Sequence, residues 1–528
     1  MGNIDEIDTT GYSLWFIVLC LLTFLGVASL VNNVIYNLYQ HPLHGIPGPK
    51  IAGATYLYQS YYGLRGTSTY YKRIREMHAQ YGPVIRITPD EVHLSDTDNY
   101  EIINCVGTKY AKSTQFYDGF AIGYSTFSCG PNDIHRIRRG MLEPFFSRRN
   151  VMNLEYIVQE RAQNLSNLVA AKFAKNEAVD LHHTFRSISV DVITEYAFGS
   201  CYNLMEKEDL GAEFFAMVSG IGPCMWVFQQ WPLLAKIVVA LPPDLVKHIN
   251  GPLKQMMNLR EHCRTQVRSV KANMDSGKKI DKPSIFPALL APPPGIPVPS
   301  VEEIKDEALS ILAAAADTTG NAMTVSAYNV VNNPEIYKRL CEELKAAFPN
   351  AEDTLDYATL EKLPYLTGVV KEGLRHVFSL RHFENLSFGV PGRLARIVPA
   401  GGETFNGHFI PGGSFVSMSS WMQHQDEKYF PNALTFDPTR WINPLEARRI
   451  DKAFVAFGKG SRGCVGLNLA YCELYVSLGT LFRRYENLLS NHLTAEDWEY
   501  DDYFSGYSRP GAAKFHVTAN GAGGGMDK

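Results

Sequence analysis

One cysteine, Cys464, sits inside the run Phe457-Gly458-Lys459-Gly460-Ser461-Arg462-Gly463-Cys464-Val465-Gly466. Its four glycines permit backbone conformations closed to other residues and let a bulky group approach the main chain. Arg462, two residues before the sulfur, supplies a fixed cationic fork. A Gly-rich loop can aim backbone N–H groups at a thiolate and tune its basicity. The chemistry this predicts is a sulfur ligand held beside a cation. The other eight cysteines (20, 105, 129, 201, 224, 263, 341 and 472) are scattered without a CxxC pair. Most of them read as small buried hydrophobes.

A second constellation is Ala313-Ala314-Ala315-Ala316-Asp317-Thr318-Thr319-Gly320-Asn321. Mid-helix Asp and Thr are locally unfavourable, because their side chains compete with the backbone for hydrogen bonds. An acid and alcohol there, preceded by small residues, suit a polar site beside a bound group. A third is Glu372-Gly373-Leu374-Arg375, whose acid and base share one helix face. Such a pair is worth only about 0.2–0.5 kcal/mol on a surface, but "FDPTRW" (436–441) follows before the cysteine loop. Lastly, "HRIRRGMLEPFFS" (135–147) is a basic helical segment, and Arg396 lies in "GVPGRLAR".

The elements that must position these residues are mostly helical up to about residue 390. Residues 83–95, "PVIRITPDEVHLS", alternate about a Pro-Asp turn and predict a β-hairpin. The basic stretch 133–149 predicts a helix ended near Pro144. "APPPGIPVPS" (291–300) is a loop, and Ser300 with Glu303 then forms a capping box. From there a helix should run to about Asn333, before Pro334. Residues 393–418 return to short strands punctuated by Gly and Pro. The expected fold is mainly α with a small β-rich lobe.

These segments, in this order over roughly residues 83–515, resemble the cytochrome P450 family, and FxxGxRxCxG around Cys464 is a specific signature of it. Thiolate ligation, of which these enzymes are the type case, holds haem iron and favours O–O cleavage. The resemblance implies the following roles. Cys464 is the axial ligand of the iron of haem b, Phe457 packs beside the sulfur and excludes water, and Gly458 belongs to the haem-binding loop. Arg139, Arg396 and Arg462 neutralise the haem propionates, with His135 standing where Trp is commoner. Ala314 and its neighbours leave room for the haem face and O2. Thr318 hydrogen-bonds the bound oxygen, and Asp317 helps deliver protons. Glu372, Arg375 and Arg440 form a buried structural ion-pair network.

Two departures from the family pattern stand out. Ala315 replaces a usual glycine and adds a methyl beside the oxygen groove. Residues 376–385, "HVFSLRHFEN", read as an insertion adjoining Gly389-Val390-Pro391, which by resemblance lines the substrate pocket. "HPLHGIPGPK", "FFSRRN" and "LSFGVPGRLARIVPAGG" are most similar to filamentous-fungal microsomal members that oxidise terpenoids, such as trichodiene oxygenase.

Bulk properties agree with this reading. The chain has 528 residues, 45% apolar and 20% charged, with 50 basic and 54 acidic side chains. That composition excludes a mainly disordered chain, and the charge gives no sign of a nucleic-acid partner. Scattered cysteines fit a reducing compartment. Residues 13–31 carry no charge over a length that can cross a bilayer. Acidic residues precede this span and Lys50 follows it, which places the body of the protein on the cytoplasmic side. The domain plan is a short segment 1–12, a transmembrane anchor 13–31, a Pro-rich hinge 41–50, the catalytic domain 51–518 and a disordered tail 519–528. The apolar stretch 224–243 is interrupted by Pro232; it is either a core helix or a membrane-dipping loop.

The expected function is a monooxygenase that oxidises a lipophilic small molecule, a terpenoid or other fungal secondary metabolite, at the endoplasmic reticulum membrane. Only about 60 residues follow the cysteine loop, so electrons are expected from a separate NADPH-cytochrome P450 reductase, with cytochrome b5 as a second donor. The rival reading is a haem-thiolate isomerase or dehydratase that needs no external electrons. Such enzymes often lose the acid-threonine pair, which this chain keeps.

Overall fold

Ser300 opens the longest core helix by accepting a hydrogen bond from the Glu303 N–H, while Glu303 Oε2 accepts the Ser300 N–H at 2.7 Å. This reciprocal cap satisfies two donors that a helix start leaves without partners. The helix then runs over Val301–Val331, about 46 Å at about 1.5 Å per residue. Asn332 caps its end and Pro334 begins the next helix. In this computed structural model the described residues are 9–64, 68–242, 245, 251–277, 284–376, 392–494, 496–509 and 511–519.

The central helix packs most extensively against Leu181–Phe198, where all residues but His183 are buried. The two backbones approach closely at Gly320, where an added Cβ would lie 2.6 Å from the Arg186 Cα. Leu467–Arg484, the helix after the cysteine loop, packs against Glu155–Ala174 and the central helix. These four helices share one continuous apolar core.

The β-rich lobe is a five-stranded sheet in the order Val84–Arg86, Glu91–Leu94, Phe415–Ser417, Arg396–Ile397, Ala111–Lys112. Only the pairing of Glu91–Leu94 with Phe415–Ser417 is parallel. The expected 83–95 hairpin forms with Val84 opposite Leu94. Both strands are buried on both faces, because helix Tyr70–Tyr81 covers one side. Elsewhere the hairpin Tyr500–Tyr503 and Ser505–Ser508 reaches toward the helical core.

Two boundaries differ from expectation, and a third falls at the proline that the sequence marked. The N-terminal helix spans Thr9–Tyr39, beyond the apolar stretch, and Trp15–Tyr39 is long and apolar enough to cross a membrane. The basic helix Asn132–Phe146 carries Pro144 inside its last turn, where the ring removes one backbone donor and the helix ends two residues later. The 224–243 stretch divides at Pro232, which takes the first position of a new helix. Its first half, Ile221–Gln230, is mostly buried, whereas Leu233 and Ile237 of the second are exposed. Residues 377–391, and with them nearly all the expected insertion and Gly389-Val390-Pro391, lie outside the described residues, as do residues 1–8 and the tail beyond 519.

Candidate functional site

The cysteine loop is shaped by short bonds across itself. The Cys464 N–H donates to the Phe457 carbonyl at 2.7 Å, and Gly463 N–H to the Gly460 carbonyl at 3.0 Å. Gly460 has φ +67°. A Cβ there would run into the carbonyl oxygens of Asn104 and Cys105, so only glycine fits. Gly458 is also left-handed, at φ +65°. Phe457 packs against the core beside Tyr471, with ring centroids 5.1 Å apart and the planes tilted by 51°.

Cys464 is ringed by protein, yet its side chain is solvent-accessible. Burial pushes the thiol up, and the Gly466 N–H and the Arg139 guanidinium offset only part of that rise. The central helix shows the same pattern. Ala314 and Thr318 are exposed, one turn apart, while Leu312, Ala316, Asp317 and Thr319 are buried. Accessible surface in the middle of a core helix faces an interior cleft. The Thr318 hydroxyl donates to the Ala314 carbonyl at 2.8 Å, which leaves its oxygen lone pairs free to accept. Ala315 is half-buried against the core.

Asp317 turns away from this stripe. Its Oδ1 accepts from Arg186 Nη2 of the neighbouring helix, and Arg186 itself lies 3.9 Å over the Phe215 ring. Asp317 is legible in the sequence as a site residue; Arg186 is not. No sequence spacing links residues 131 positions apart.

Several cations converge between the cysteine loop, the helix Asn132–Phe146 and the sheet. Arg462 donates to the Cys129 and Gly130 carbonyls and to Asn132 Oδ1, each at 2.6 Å. Arg396 Nη1 donates to Tyr117 Oη at 3.0 Å, and its buried Nε has no partner. His135 is buried beside them; burial, then the charges of Arg462, Lys112, Arg139 and Arg396, push it down to about 3. Burial and Arg396 likewise lower Arg462 to about 10. Among the described residues no carboxylate pairs with Arg396 or Arg462. A donor set of this kind, with Arg396 buried and Arg462 half-buried, fits a group carrying two carboxylates beside a sulfur ligand, as a haem does. Arg139 is placed differently: it donates to the Gly463 carbonyl at 2.8 Å and to Glu143 Oε1 at 3.0 Å. It thus braces the peptide bond before Cys464. Lys112, which the sequence reading passed over, joins this cluster; its only signal was a short strand rich in small and polar residues.

Glu372 is fully buried and receives Arg375 in a two-pronged pair, with Nε and Nη2 each at 2.8 Å. Trp441 Nε1 donates to Glu372 Oε1 at 3.0 Å, and Arg440 Nε lies 3.7 Å from Oε2. Burial pushes the Glu372 carboxyl up, but the Arg375 charge and hydrogen bonds outweigh it and hold it at about 2. Arg375 Nη1 also donates to the His424 carbonyl, and His424 Nε2 accepts the Val455 N–H at 2.9 Å. The network therefore ends two residues before Phe457 and supports the cysteine loop. Trp441 and His424 were not foreseen, although Trp441 closes the quoted FDPTRW.

The cytochrome P450 family model matches residues 49–501. The chain is 29% identical over 500 residues to the cytochrome P450 monooxygenase aflU of Aspergillus parasiticus, covering 94% of this chain and 97% of that protein. It is 32% identical to the tryptophan 6-hydroxylase fscE of Fusarium equiseti, covering 87% and 88%. The cytochrome P450 monooxygenase MO6277 of Ascocoryne sarcoides is also 32% identical, covering 89% and 92%. In fold the chain matches the crystal structure of a cytochrome P450, CYP102L1, with a TM-score of 0.67 at 15% identity, covering 85% of this chain and 94% of that one.

Proposed function

We propose, from the premise that this chain belongs to the cytochrome P450 family and is a monooxygenase, that it inserts one oxygen atom of O2 into a lipophilic small molecule of fungal secondary metabolism. The observation that carries this reading is the pairing of two features. One is an accessible sulfur in a glycine-built loop; the other is the accessible Ala314–Thr318 stripe of the central helix. Bound haem b supplies the oxygen-activating redox chemistry that the protein side chains lack.

The chain's own residues then have separable tasks. Cys464 is the iron ligand, with Phe457 keeping water from the sulfur and Gly458 and Gly460 letting the loop lie close to the porphyrin. Arg396 and Arg462 hold the two carboxylates, His135 fills the wall between them, and Arg139 fixes the loop. Burying two carboxylates without such partners costs several kcal/mol per ion. Ala314 leaves space above the porphyrin, Thr318 holds a proton at Oγ1, and Asp317 replenishes it. Glu372, Arg375 and Arg440 keep the loop's base rigid.

The N-terminal helix serves as a single-pass anchor in the endoplasmic reticulum membrane, with the catalytic domain over 51–518 in the cytoplasm. Electrons come from NADPH through a separate cytochrome P450 reductase, with cytochrome b5 as a second donor. The resemblance of several segments to trichodiene oxygenase favours a terpenoid substrate. Relatives named as hydroxylases of tryptophan and N-acetyltryptophan add aromatic amino acids to the range tested. Expression in a yeast that supplies reductase, followed by mass spectrometry of fed candidates, tests the reading. A product heavier by one oxygen, dependent on NADPH, is expected; rearrangement of a peroxide without NADPH would overturn it.

A further inference from the structure

A file of aromatic rings runs outward from the cysteine loop. The Cys464 N–H donates to the Phe457 carbonyl at 2.7 Å, and the Phe457 ring centre lies 5.1 Å from that of Tyr471. Tyr471 and Tyr475 stand one turn apart on the helix Leu467–Arg484 and so share a face. Their ring centres are 6.1 Å apart. Tyr475 in turn lies 5.8 Å from Tyr357. The file ends near the surface, where Arg148 sits 5.8 Å over the Tyr357 ring and its Nη1 donates to Glu361 Oε2 at 2.7 Å. About half of the Arg148 side chain is exposed, at 51%.

Packing alone does not account for these residue types. A phenol in an apolar interior costs free energy unless its hydroxyl is paired, and phenylalanine would fill the same space. Tyr357 and Tyr475 are nonetheless buried. Among the described residues the Tyr471 hydroxyl has no acceptor. The Tyr475 hydroxyl donates to Thr367 Oγ1 at 2.9 Å, an alcohol and a poor base. Tyr357 differs in having a carboxylate beside its hydroxyl. That carboxylate is Glu361, one turn on, which Arg148 holds below the usual carboxylate range and therefore ionised. A phenol gives up an electron readily where a base stands within reach of its proton, so an oxidising equivalent passed along the file settles at Tyr357.

We propose that Tyr471, Tyr475 and Tyr357 form a relay that carries oxidising equivalents away from the cofactor when it is activated with no substrate in the cleft. The relay rests on haem bound at Cys464 and goes beyond the oxygenase reading, because it protects the protein from its own chemistry. Electron tunnelling falls off steeply with distance, and neighbouring rings divide the path into short steps. In each pass Tyr357 gives up one electron, which reaches the haem through Tyr475, Tyr471 and the Phe457 bridge. Its phenolic proton passes to the Glu361 carboxylate. The tyrosyl radical left behind takes one electron from a thiol in solution and recovers its proton from Glu361. Two thiols oxidised in this way close a disulfide and release two protons. The Cys464 sulfur is thereby spared oxidation to sulfenic and higher acids.

The experiment exposes the full-length holoenzyme, without substrate, to cumene hydroperoxide, whose O–O bond supplies the oxidising equivalents. Radicals are trapped by rapid freezing and read by electron paramagnetic resonance, and haem loss is followed by Soret absorbance. Tyr357→Phe removes the end of the relay. Tyr475→Phe breaks it in the middle and leaves Tyr357 in place. Tyr365→Phe, at a buried tyrosine outside the file, is the control. The native enzyme should show a tyrosyl signal. Tyr357→Phe and Tyr475→Phe should each start at native haem content, lose most of that signal and bleach severalfold faster, while Tyr365→Phe should match the native chain. Added glutathione should slow bleaching of the native chain but not of Tyr475→Phe. A native radical yield and bleaching rate in Tyr475→Phe, or a tyrosyl signal at full intensity in Tyr357→Phe, overturns the relay. Haem content per chain is measured first, so a failure of the haem-thiolate reading shows there and not in the radical.

Discussion

Arg186 Nη2 donates to Asp317 Oδ1 between two helices of the core, so the acid next to the exposed Thr318 is anchored from behind. Asp317 is buried while Thr318, its neighbour, faces the cleft. The pair can pass a proton only if Asp317 lets go of its partner in part. Asp317→Asn keeps the shape and removes the charge. Proton transfer by a positioned side chain is worth roughly 10²–10⁴-fold, so turnover should fall by roughly 10²-fold with haem content unchanged. Arg186→Ala leaves a buried carboxylate unpaired and should cost about 3–5 kcal/mol of stability, read by thermal unfolding. Equal turnover in Asp317→Asn and the native enzyme would remove Asp317 from the proton path.

The Glu372–Arg375 pair makes a different prediction. Both side chains are buried, and breaking such a pair by removing one partner costs about 3–5 kcal/mol. Glu372→Ala frees Arg375 and orphans the Trp441 and Asp437 N–H donors. The variant should purify with little haem and unfold at a clearly lower temperature, because the same network supports Val455 and the cysteine loop. Retention of native haem content and melting would make the network dispensable.

Glu307 gives stability a pH dependence. It is buried on the central helix, and its Oε2 accepts the Thr126 N–H at 2.7 Å and the Thr126 hydroxyl at 2.9 Å. Burial pushes the carboxyl up to about 7 against its usual 4.5. Between those values the folded chain holds a proton that the unfolded chain releases, so this group's contribution falls as pH rises from about 4.5 to about 7. Glu307→Gln removes the titration and keeps an acceptor. The melting temperature of the variant minus that of the native chain should therefore climb across that window, measured by thermal scans at half-unit pH steps. A flat difference would contradict the assignment.

Much of the architecture was legible in the chain because it is written locally. Ser300 and Glu303 announced the central helix, and the glycines around Cys464 announced a tight loop. Pro232 marked the break in the apolar stretch. What stayed hidden depends on partners distant in sequence. Arg186 matters only because Gly320 lets two helices close on each other. Lys112 matters only because a two-residue strand sets it against Arg396. Arg139 was legible as a cation near the loop, but whether it reaches Gly463 or a cofactor carboxylate depends on side-chain geometry that no spacing encodes. The short strands were hard to place for the same reason: at two to four residues they carry too little alternation to fix a register.

The sulfur–iron bond at Cys464 is tested most directly by the absorption spectrum of the reduced chain under carbon monoxide. The native protein should show the red-shifted Soret band of thiolate-ligated haem. Cys464→His should lose that shift and its NADPH-dependent turnover together. A Cys464→Ala chain that kept both the shifted band and native turnover would contradict the assignment of this residue as the ligand, and with it the function proposed here.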